Sequence, residues 1–273
     1  MDNDVWEKII KLWEKFPGIG YRKLSKCLNI NGKRISRVLR QYRGPKTVKP
    51  KVKSLCQFPN IIKLITAALN KYPEKGNRGN WIIRDGKNKY RKVIEPTRPY
   101  QLWATDWKEF KIVFLGVKIY IFIIIDCYTR QLKGYSFPLI KDGGSALKAM
   151  QMAVNNSLLD PLFNPKELIL HSDQGRAYFT NEYIAYLKYH RIKISMADKG
   201  KPTQNPYIEA FNSILVRFWI NQHEFLTAIE VEESLSRFFN LYNREWKHSG
   251  INYQTPDERL YQYKQNLTVS LKR

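Results

Sequence analysis

Residues 110–139, "FKIVFLGVKIYIFIIIDCYTRQLKGYSFPL", consist of three runs rich in β-branched and aromatic residues, separated by two turns. The runs "FKIVFL", "VKIYIFIIID" and "QLKGYSFPL" predict three consecutive strands, with one turn at Gly116 and another near Thr129. The longest apolar run, Ile119 to Ile125, is far too short to span a bilayer. The stretch therefore predicts a sheet in a protein with a packed core.

Downstream of these strands, helical and strand-like patterns alternate. Helices are expected over "GGSALKAMQMAVNNSLL" (143–159) and "NEYIAYLKYHR" (181–191), and strands over "KELILHSD" (166–173) and "IKISM" (192–196). A further helix is expected from Pro206 onward. Three strands followed by helix, strand, helix, strand and helix predict a mixed α/β layer fold.

The first 43 residues predict three short helices, over residues 4–16, 20–29 and 33–43. The inward faces are expected to carry the apolar side chains Trp6, Ile9, Ile10, Trp13, Phe16, Tyr21, Leu24, Leu28, Ile35, Val38 and Leu39. The outward face of the third helix carries only cations, Lys33, Arg34, Arg37 and Arg40. This pattern fits a DNA-binding helix-turn-helix module or an ordinary three-helix unit with a solvated charged face.

The segment between the helices and the strands is polar and basic. "GPKTVKPKVK" (44–53) predicts an extended linker, and "NIIKLITAALNKY" (60–72) predicts one amphipathic helix. Residues 76–93 are expected to be irregular, and they could either follow a phosphate backbone or simply be mobile.

Charge is the strongest compositional signal in the 273-residue chain, which has a formal net charge of +23. Residues 1–100 hold 25 Lys and Arg against 7 Asp and Glu, a net charge of +18, so the remainder carries only +5. Such a concentrated field favours a polyanionic partner, most simply nucleic acid, although a basic surface that only confers solubility is the alternative. The three cysteines form no C-x-x-C pair, so a structural zinc site is not expected.

Three acidic residues stand where they could act chemically. Asp106 is expected in the first strand, within "WATD", Asp173 closes the strand "LILHSD", and Glu209 lies one turn inside the helix that begins at Pro206. The face of that helix that carries Glu209 also carries Asn205, Asn212 and Ser213. Three carboxylates around one point suit a pair of Mg²⁺ ions, whereas three scattered surface acids are the alternative that the spacing alone leaves open.

The motifs "WATD", "HSDQGRAY" and "GKPTQNPYIEAF" resemble, as a set, the D,D(35)E pattern of IS3-family insertion-sequence transposases. The spacing of the second and third acids agrees with this pattern, because 35 residues separate Asp173 from Glu209. The ending "YNREWKHSGINYQTPDE" and the upstream "GIGYRKLSKCLNINGKRISRVLR" also resemble segments of that family, so that the likeness covers nearly the whole chain. Gln204 departs from the family pattern, which has an aspartate there.

The resemblance implies an RNase H-like α/β catalytic domain of the retroviral-integrase type over residues 99–265. An N-terminal helix-turn-helix module (1–44), a basic linker with one helix (45–98) and a basic tail (266–273) would complete the chain. The implied reaction is metal-dependent cleavage at insertion-sequence ends followed by transfer of the freed 3′-OH into DNA. The alternatives are a catalytically decayed DNA-binding protein and an RNase H-like nuclease.

The resemblance also implies the functional residues and partners. Asp106, Asp173 and Glu209 would be the catalytic residues and would hold two Mg²⁺ ions, with Mn²⁺ as a substitute and no zinc. DNA contacts are expected at Lys33, Arg34, Arg37, Arg40, Asn205, Asn212, Ser213 and Arg217. The partners would be the terminal inverted repeats and target DNA, a second copy of the chain and an OrfA-like protein, in the bacterial cytoplasm, on the nucleoid when DNA-bound, without a membrane.

Three further residues near these motifs have simpler interpretations. Asp126 ends the strand "YIFIIID" and is expected to be structural. Trp103 is expected to pack in the core. His171, two residues before Asp173, could position that aspartate or merely fill the strand edge.

Overall fold

The computed structural model describes residues 2–16, 19–42, 83–84, 90–91, 95–112, 117–197 and 204–271. The chain divides into two compact units, one with the N-terminal helices and one with the main sheet. No helix among the described residues combines the length and the hydropathy needed to cross a membrane.

The N-terminal unit contains the three helices expected from the sequence, α1 (Asp2–Lys15), α2 (Tyr21–Leu28) and α3 (Gly32–Tyr42). Its core is formed by apolar side chains that are fully buried, among them Ile9, Leu24, Ile35 and Val38. α2 ends at Asn29, whose left-handed backbone (φ 52°) suits an asparagine. The Asn31 side chain then accepts a hydrogen bond from the Lys33 backbone N–H at 2.8 Å, which helps to start α3.

One apolar assignment in this unit is wrong. Tyr21 was expected to face inward, but it is 44% exposed because it is the first residue of α2 and only Leu24, one turn later, reaches the core. The cationic face of α3 is as expected, with Lys33, Arg37 and Arg40 exposed and Arg34 half-buried.

The second unit is built on a mixed five-stranded sheet in the order β5-β4-β3-β6-β7. β3, β4 and β5 pair antiparallel, and β6 and β7 run parallel to β3. The elements are β3 (Leu102–Ile112), β4 (Val117–Asp126), β5 (Leu132–Ser136), α4 (Gly143–Ser157), β6 (Ile169–Ser172), α5 (Asn181–Tyr189), β7 (Lys193–Met196), α6 (Pro206–Phe218), α7 (Ala228–Glu245) and α8 (Pro256–Leu271).

Helices cover both faces of this sheet. On one face, Trp103, Phe122 and Ile124 form a core with residues of α4 and α5. Gly134 on β5 permits this packing, because a Cβ there would collide with the Ala149 carbonyl of α4. The other face is covered by α6 and α7, where Tyr135 of β5 packs on Phe239 with ring centroids 4.6 Å apart. The mixed α/β architecture expected from the alternating patterns is confirmed.

Several boundaries differ from the sequence-based expectations. The apolar run "FKIVFL" begins at Phe110, whereas β3 begins at Leu102, so that Asp106 lies in the first strand of the sheet as expected. The segment 76–93 was expected to be irregular, but its described residues form a short antiparallel pair, β1 (Ile83–Arg84) and β2 (Tyr90–Arg91). α8 continues to Leu271, so residues 266–271 belong to a helix and not to a separate tail. The linker and helix expected within 44–72 lie outside the described residues.

Asp126 has the structural role expected of it. Its carboxylate is fully buried at the end of β4. One oxygen accepts hydrogen bonds from the backbones of Tyr128 and Thr129 and from the Thr129 hydroxyl. The other accepts bonds from the Tyr100 backbone at 2.7 Å and from the Trp103 indole at 3.2 Å. These five bonds close the β4–β5 turn onto the start of β3 and satisfy the buried charge.

Candidate active site

The register between β3 and β6 brings the first two acidic residues together. Trp103 lies opposite Leu170, and Ala104 lies opposite His171. The pairing ends there, with Asp106 two residues further along β3 and Asp173 in the turn after β6, and the charge of Asp173 acts on the Asp106 carboxyl. The Asp106 carboxylate also meets α6, because Oδ2 accepts a hydrogen bond from Asn212 Nδ2 at 2.8 Å.

Asp173 lies in the turn that follows β6. Its side chain is exposed, and Oδ1 accepts a hydrogen bond from the Gly175 backbone N–H at 3.0 Å. The Ser172 hydroxyl donates to the Asp173 carbonyl at 2.9 Å. A short 3-10 turn, Arg176–Phe179, follows, and its Tyr178 is buried in the sheet core. The backbone position of Asp173 is thus determined on both sides, while its carboxylate remains accessible.

Glu209 is carried by the first turn of α6. The helix buries Ile208, Phe211 and Leu215 against the fold, and this apolar stripe fixes its rotation. Pro206 occupies the start of the helix, as its fixed φ and missing N–H allow. Glu209 itself is exposed, so its carboxylate can adjust at the open side of the site.

The electrostatics of Asp106 indicate that the three acids share one space. Its pKa is raised from the ordinary 3.8 to about 6. Burial of the carboxyl is the main cause, and the nearby charges of Asp173 and Glu209 raise the pKa further. Hydrogen bonds from the Trp107 backbone and the Asn212 side chain, both 2.8 Å long, oppose the shift. An added cation would relieve this repulsion.

The charges of Asp173 and Glu209 act on the Asp106 carboxyl, but the three carboxylates do not surround a common point as metal ligands would. Within the described parts of the chain, no three Asp, Glu, His or Cys side chains stand at the distances of a formed metal site. Asp106 is held by two hydrogen bonds, whereas Asp173 and Glu209 are exposed side chains with freedom to turn. Ligation by all three therefore requires the two exposed side chains to turn toward Asp106.

Two of the residues expected to contact DNA have other roles in the structure. Asn205 is 6% exposed, and its side-chain amide donates to the Thr105 carbonyl at 3.1 Å instead of capping α6. Asn212 is 3% exposed and donates from Nδ2 to Asp106 Oδ2. Both face the sheet, because their side of α6 turns inward. The geometry therefore favours a role in holding the site over direct DNA contact, whereas Ser213 and Arg217 are exposed.

His171 is buried in the sheet and belongs to the supports of the site. Its Nδ1 lies 2.9 Å from the Ser195 hydroxyl of β7, and a backbone hydrogen bond joins the ring to Gln204, just before α6. Burial lowers the pKa of His171 to about 4, so the ring is neutral at physiological pH. These bonds tie the ring to β7 and to the residue before Asn205, so both interpretations of its relation to Asp173 stay predictions.

Two residues that link the segments of the site, Thr105 and Tyr178, were not predicted from the sequence. The Thr105 hydroxyl donates to Tyr178 Oη at 3.2 Å, and both side chains are almost fully buried. The alternation of β3 indicates that Thr105 points away from Asp106, but no local signal indicates which hydroxyl it meets 73 residues later.

Comparisons with known proteins identify the family. Two models of the integrase core domain match residues 96–202 and 190–256, which together span the sheet and the three acids. The chain is 28% identical over 246 residues to the putative transposase InsK of insertion sequence IS150 from Escherichia coli, covering 88% of this chain and 77% of that protein. It is 26% identical over 192 residues to the transposase of IS904 from Lactococcus lactis, covering 69% and 71% respectively.

The chain belongs to the IS3 family of transposases. This transposase is thus a DNA transposase/integrase enzyme with an integrase core, as its motifs predicted. The RNase H-like α/β class expected for its catalytic domain is confirmed by the two integrase-core matches on the mixed sheet. Among solved structures, it is similar to the catalytic core of HTLV-2 integrase in complex with magnesium, at 12% identity and a TM-score of 0.46, covering 59% of this chain and 97% of that one.

Proposed function

We propose that Asp106, Asp173 and Glu209 are the catalytic carboxylates of this transposase. The observation that carries the proposal is the raised pKa of Asp106, which results from burial and from the two other acids acting on the same carboxyl. A buried acid beside two like charges is unfavourable unless a cation joins them. The three residues lie on a separate strand, turn and helix, and the exposed side chains of Asp173 and Glu209 leave the site open to solvent.

The residues fit a divalent-metal site. All three are hard oxygen donors, the ligands that Mg²⁺ prefers. We propose two Mg²⁺ ions, replaceable by Mn²⁺ and without zinc, held by Asp106, Asp173 and Glu209. When bound, such ions would supply Lewis-acid chemistry for phosphodiester cleavage and transfer.

The proposed reaction consists of two in-line displacements at phosphorus. In the first, water attacks the phosphodiester at an insertion-sequence end and the P–O3′ bond breaks; the proton released by the water balances the one taken up by O3′, which leaves a 3′-OH and a 5′-phosphate. In the second, that 3′-OH attacks a phosphodiester of another strand, loses its proton and displaces the 3′ oxygen of that strand, which takes one up. The chain's own part is to hold the three carboxylates in place, and because both displacements are direct, no covalent enzyme intermediate is required.

The proposed DNA contacts follow charge and exposure. Ser213 and Arg217 lie exposed on α6, which also carries Glu209, and are the candidates at the catalytic unit. The cationic face of α3 is the candidate for reading the element ends. We further propose that the partners are terminal inverted repeats and target DNA, with at least two copies of the chain, since two ends must be joined, and with an OrfA-like protein. The site of action would be the bacterial cytoplasm, on the nucleoid when DNA-bound.

Substitution of each acid in turn tests the assignment. Asp106→Asn, Asp173→Asn and Glu209→Gln should each reduce metal-dependent nicking of an end-containing duplex by more than about a thousandfold, which corresponds to a barrier increase near 4 kcal/mol. DNA binding, measured by a mobility shift, should stay within a few-fold of the wild type, because none of the three supplies positive charge.

Glu182→Gln is the matched control, because Glu182 is an exposed acid in the first turn of α5. It should leave nicking unchanged. Near-wild-type nicking by any of the three variants would remove that residue from the assignment. Lack of nicking by the wild type would favour the decayed DNA-binding protein, and preferential cleavage of RNA–DNA hybrids would favour the nuclease.

A further inference from the structure

The three proposed catalytic carboxylates come from parts of the chain that are distant in sequence, and something must set their relative positions. Asp106 lies on β3, Asp173 in the turn after β6, and Glu209 on α6. Thr105, the residue before Asp106 on β3, forms hydrogen bonds with Asn205, directly before α6, and with Tyr178, in the 3-10 turn that follows Asp173. It is fully buried and uncharged.

The backbone carbonyl of Thr105 binds the helix that carries Glu209. The paired register of β3 with β6 ends at Ala104, so the backbone beyond it is no longer engaged by β6 on that edge. The Asn205 side chain takes up this carbonyl, with Nδ2 at 3.1 Å, and Asn205 directly precedes α6. This bond positions the first turn of α6 against β3.

The hydroxyl of Thr105 binds the segment that follows Asp173. It donates to Tyr178 Oη at 3.2 Å inside the core on the opposite face of the sheet. Tyr178 is the third residue of the 3-10 turn Arg176–Phe179, which continues the turn that holds Asp173. Burial raises the pKa of Tyr178, so the phenol is neutral and serves as a fixed acceptor.

We propose that Thr105 is a positioning residue that sets the triangle of carboxylates through these two bonds. This inference rests on the proposed function of Asp106, Asp173 and Glu209. Residues that hold metal ligands in place through hydrogen bonds commonly contribute about 10–100-fold to metal affinity or activity. Thr105 would act one residue further out, because its bonds reach Asn205 before the helix of Glu209 and Tyr178 after the turn of Asp173.

A double substitution separates positioning from simple stability. Thr105→Val or Tyr178→Phe alone leaves one buried hydroxyl without its partner, which should lower thermal stability. The combined variant removes both hydroxyls and should recover most of that stability. We expect the combined variant to bind Mn²⁺ about tenfold more weakly than the wild type, measured from free Mn²⁺ by electron paramagnetic resonance, and to need correspondingly more Mn²⁺ for nicking.

Tyr183→Phe is the matched control, because Tyr183 lies in the same core with a buried hydroxyl that has no partner among the described residues. It should leave Mn²⁺ binding unchanged. Asn205→Ala cuts the other bond and should weaken Mn²⁺ binding as well, which keeps the test decisive if the double variant folds poorly. Asn221→Ala, at an exposed position, controls for loss of an asparagine.

The outcomes separate the two proposals. If Asp173→Asn is inactive and the combined Thr105 and Tyr178 variant binds Mn²⁺ like the wild type, Thr105 has no positioning role and the carboxylate assignment stands. Loss of Mn²⁺ affinity in Tyr183→Phe equal to that of the combined variant would also overturn the proposal. If Asp173→Asn retains full activity, the carboxylate assignment fails, and the positioning role fails with it.

Discussion

At the scale of single residues, the pKa of Asp106 is set by interactions that act in opposite directions. Burial and two neighbouring acids disfavour its charge, and two hydrogen bonds favour it. The net result is a pKa of about 6 in the folded protein. Between pH 4 and pH 6 the folded state therefore holds a proton that the unfolded state has already lost.

This difference has a definite sign. Where the folded state binds more protons than the unfolded state, the free energy of unfolding decreases as the pH rises. Asp106→Asn removes this dependence. The variant should therefore gain stability relative to the metal-free wild type as the pH rises from 4 to 7, by up to about 3 kcal/mol for a shift of this size. Denaturant unfolding of both proteins in chelator, across this range, measures the difference.

Two comparisons make the measurement specific. His171 also titrates in this range, with a folded-state pKa of about 4, but it is present in both proteins and cancels in the difference. Glu182→Gln should show no such trend, since Glu182 is exposed. Mn²⁺ at neutral pH should stabilise the wild type more than Asp106→Asn. A stability difference that does not vary with pH would contradict the raised pKa.

At the scale of elements, α3 presents cations on a helix held by buried Ile35 and Val38. A helix held in this way can lie in the major groove, where arginine bonds guanine through two hydrogen bonds. Arg37→Ala or Arg40→Ala at a base-reading position should cost roughly 1–3 kcal/mol on the element end and much less on random duplex. Competition binding between the two DNAs measures this.

Lys11→Ala on α1 is the control, because it removes an exposed cation of the same unit from a different helix. It should weaken binding to both DNAs alike. If every α3 variant also weakens both DNAs alike, α3 contributes charge and does not read sequence, and recognition of the ends must lie with an OrfA-like partner.

The elements also show what the sequence could and could not predict. The type and order of the strands and helices were predicted from the spacing of apolar residues along each segment, because that spacing differs between a helix and a strand. The start of β3 was predicted only through the placement of Asp106 in the first strand, because "LWATD" mixes polar and apolar residues on a strand with both faces covered. The three acids were found from motif and spacing, and their roles stay a prediction.

The residues that hold the site in place, Asn205 and Asn212, show more clearly what the sequence could not predict. Helical spacing placed Asn205, Glu209 and Asn212 on one side of α6, but it could not tell how much of that side the sheet covers. The burial of Asn205 and Asn212 depends on how α6 crosses β3, which is a tertiary property. The hydrogen bond from Asn205 is accepted by the backbone carbonyl of Thr105. The identity of the side chain at position 105 therefore could not predict it.

At the scale of the whole molecule, charge is divided unequally along the chain. Residues 1–100 carry +18 of the net +23. Each phosphate contact contributes roughly −0.9 to the slope of log K against log salt concentration. A fragment that begins at Thr97, which retains the whole five-stranded sheet, should therefore bind duplex DNA far more weakly and with a shallower slope than the full chain.

Filter binding of the same duplex at several salt concentrations measures both slopes. A duplex of random sequence is the appropriate ligand, because the slope then reports phosphate contacts alone. Equal slopes for fragment and full chain would show that the catalytic unit makes the phosphate contacts despite its small net charge.

The saturated carboxylate of Asp126 has a consequence for how many ions the protein takes up. A buried carboxylate in a basic protein could bind a divalent ion in the core, away from the proposed active site. Asp126 offers no vacant lone pairs for this purpose, because five donors already surround it. An ion could enter only by breaking the turn that joins β4 to β5. The fold thus keeps a buried carboxylate in its interior without creating a second metal site that would compete with the proposed one.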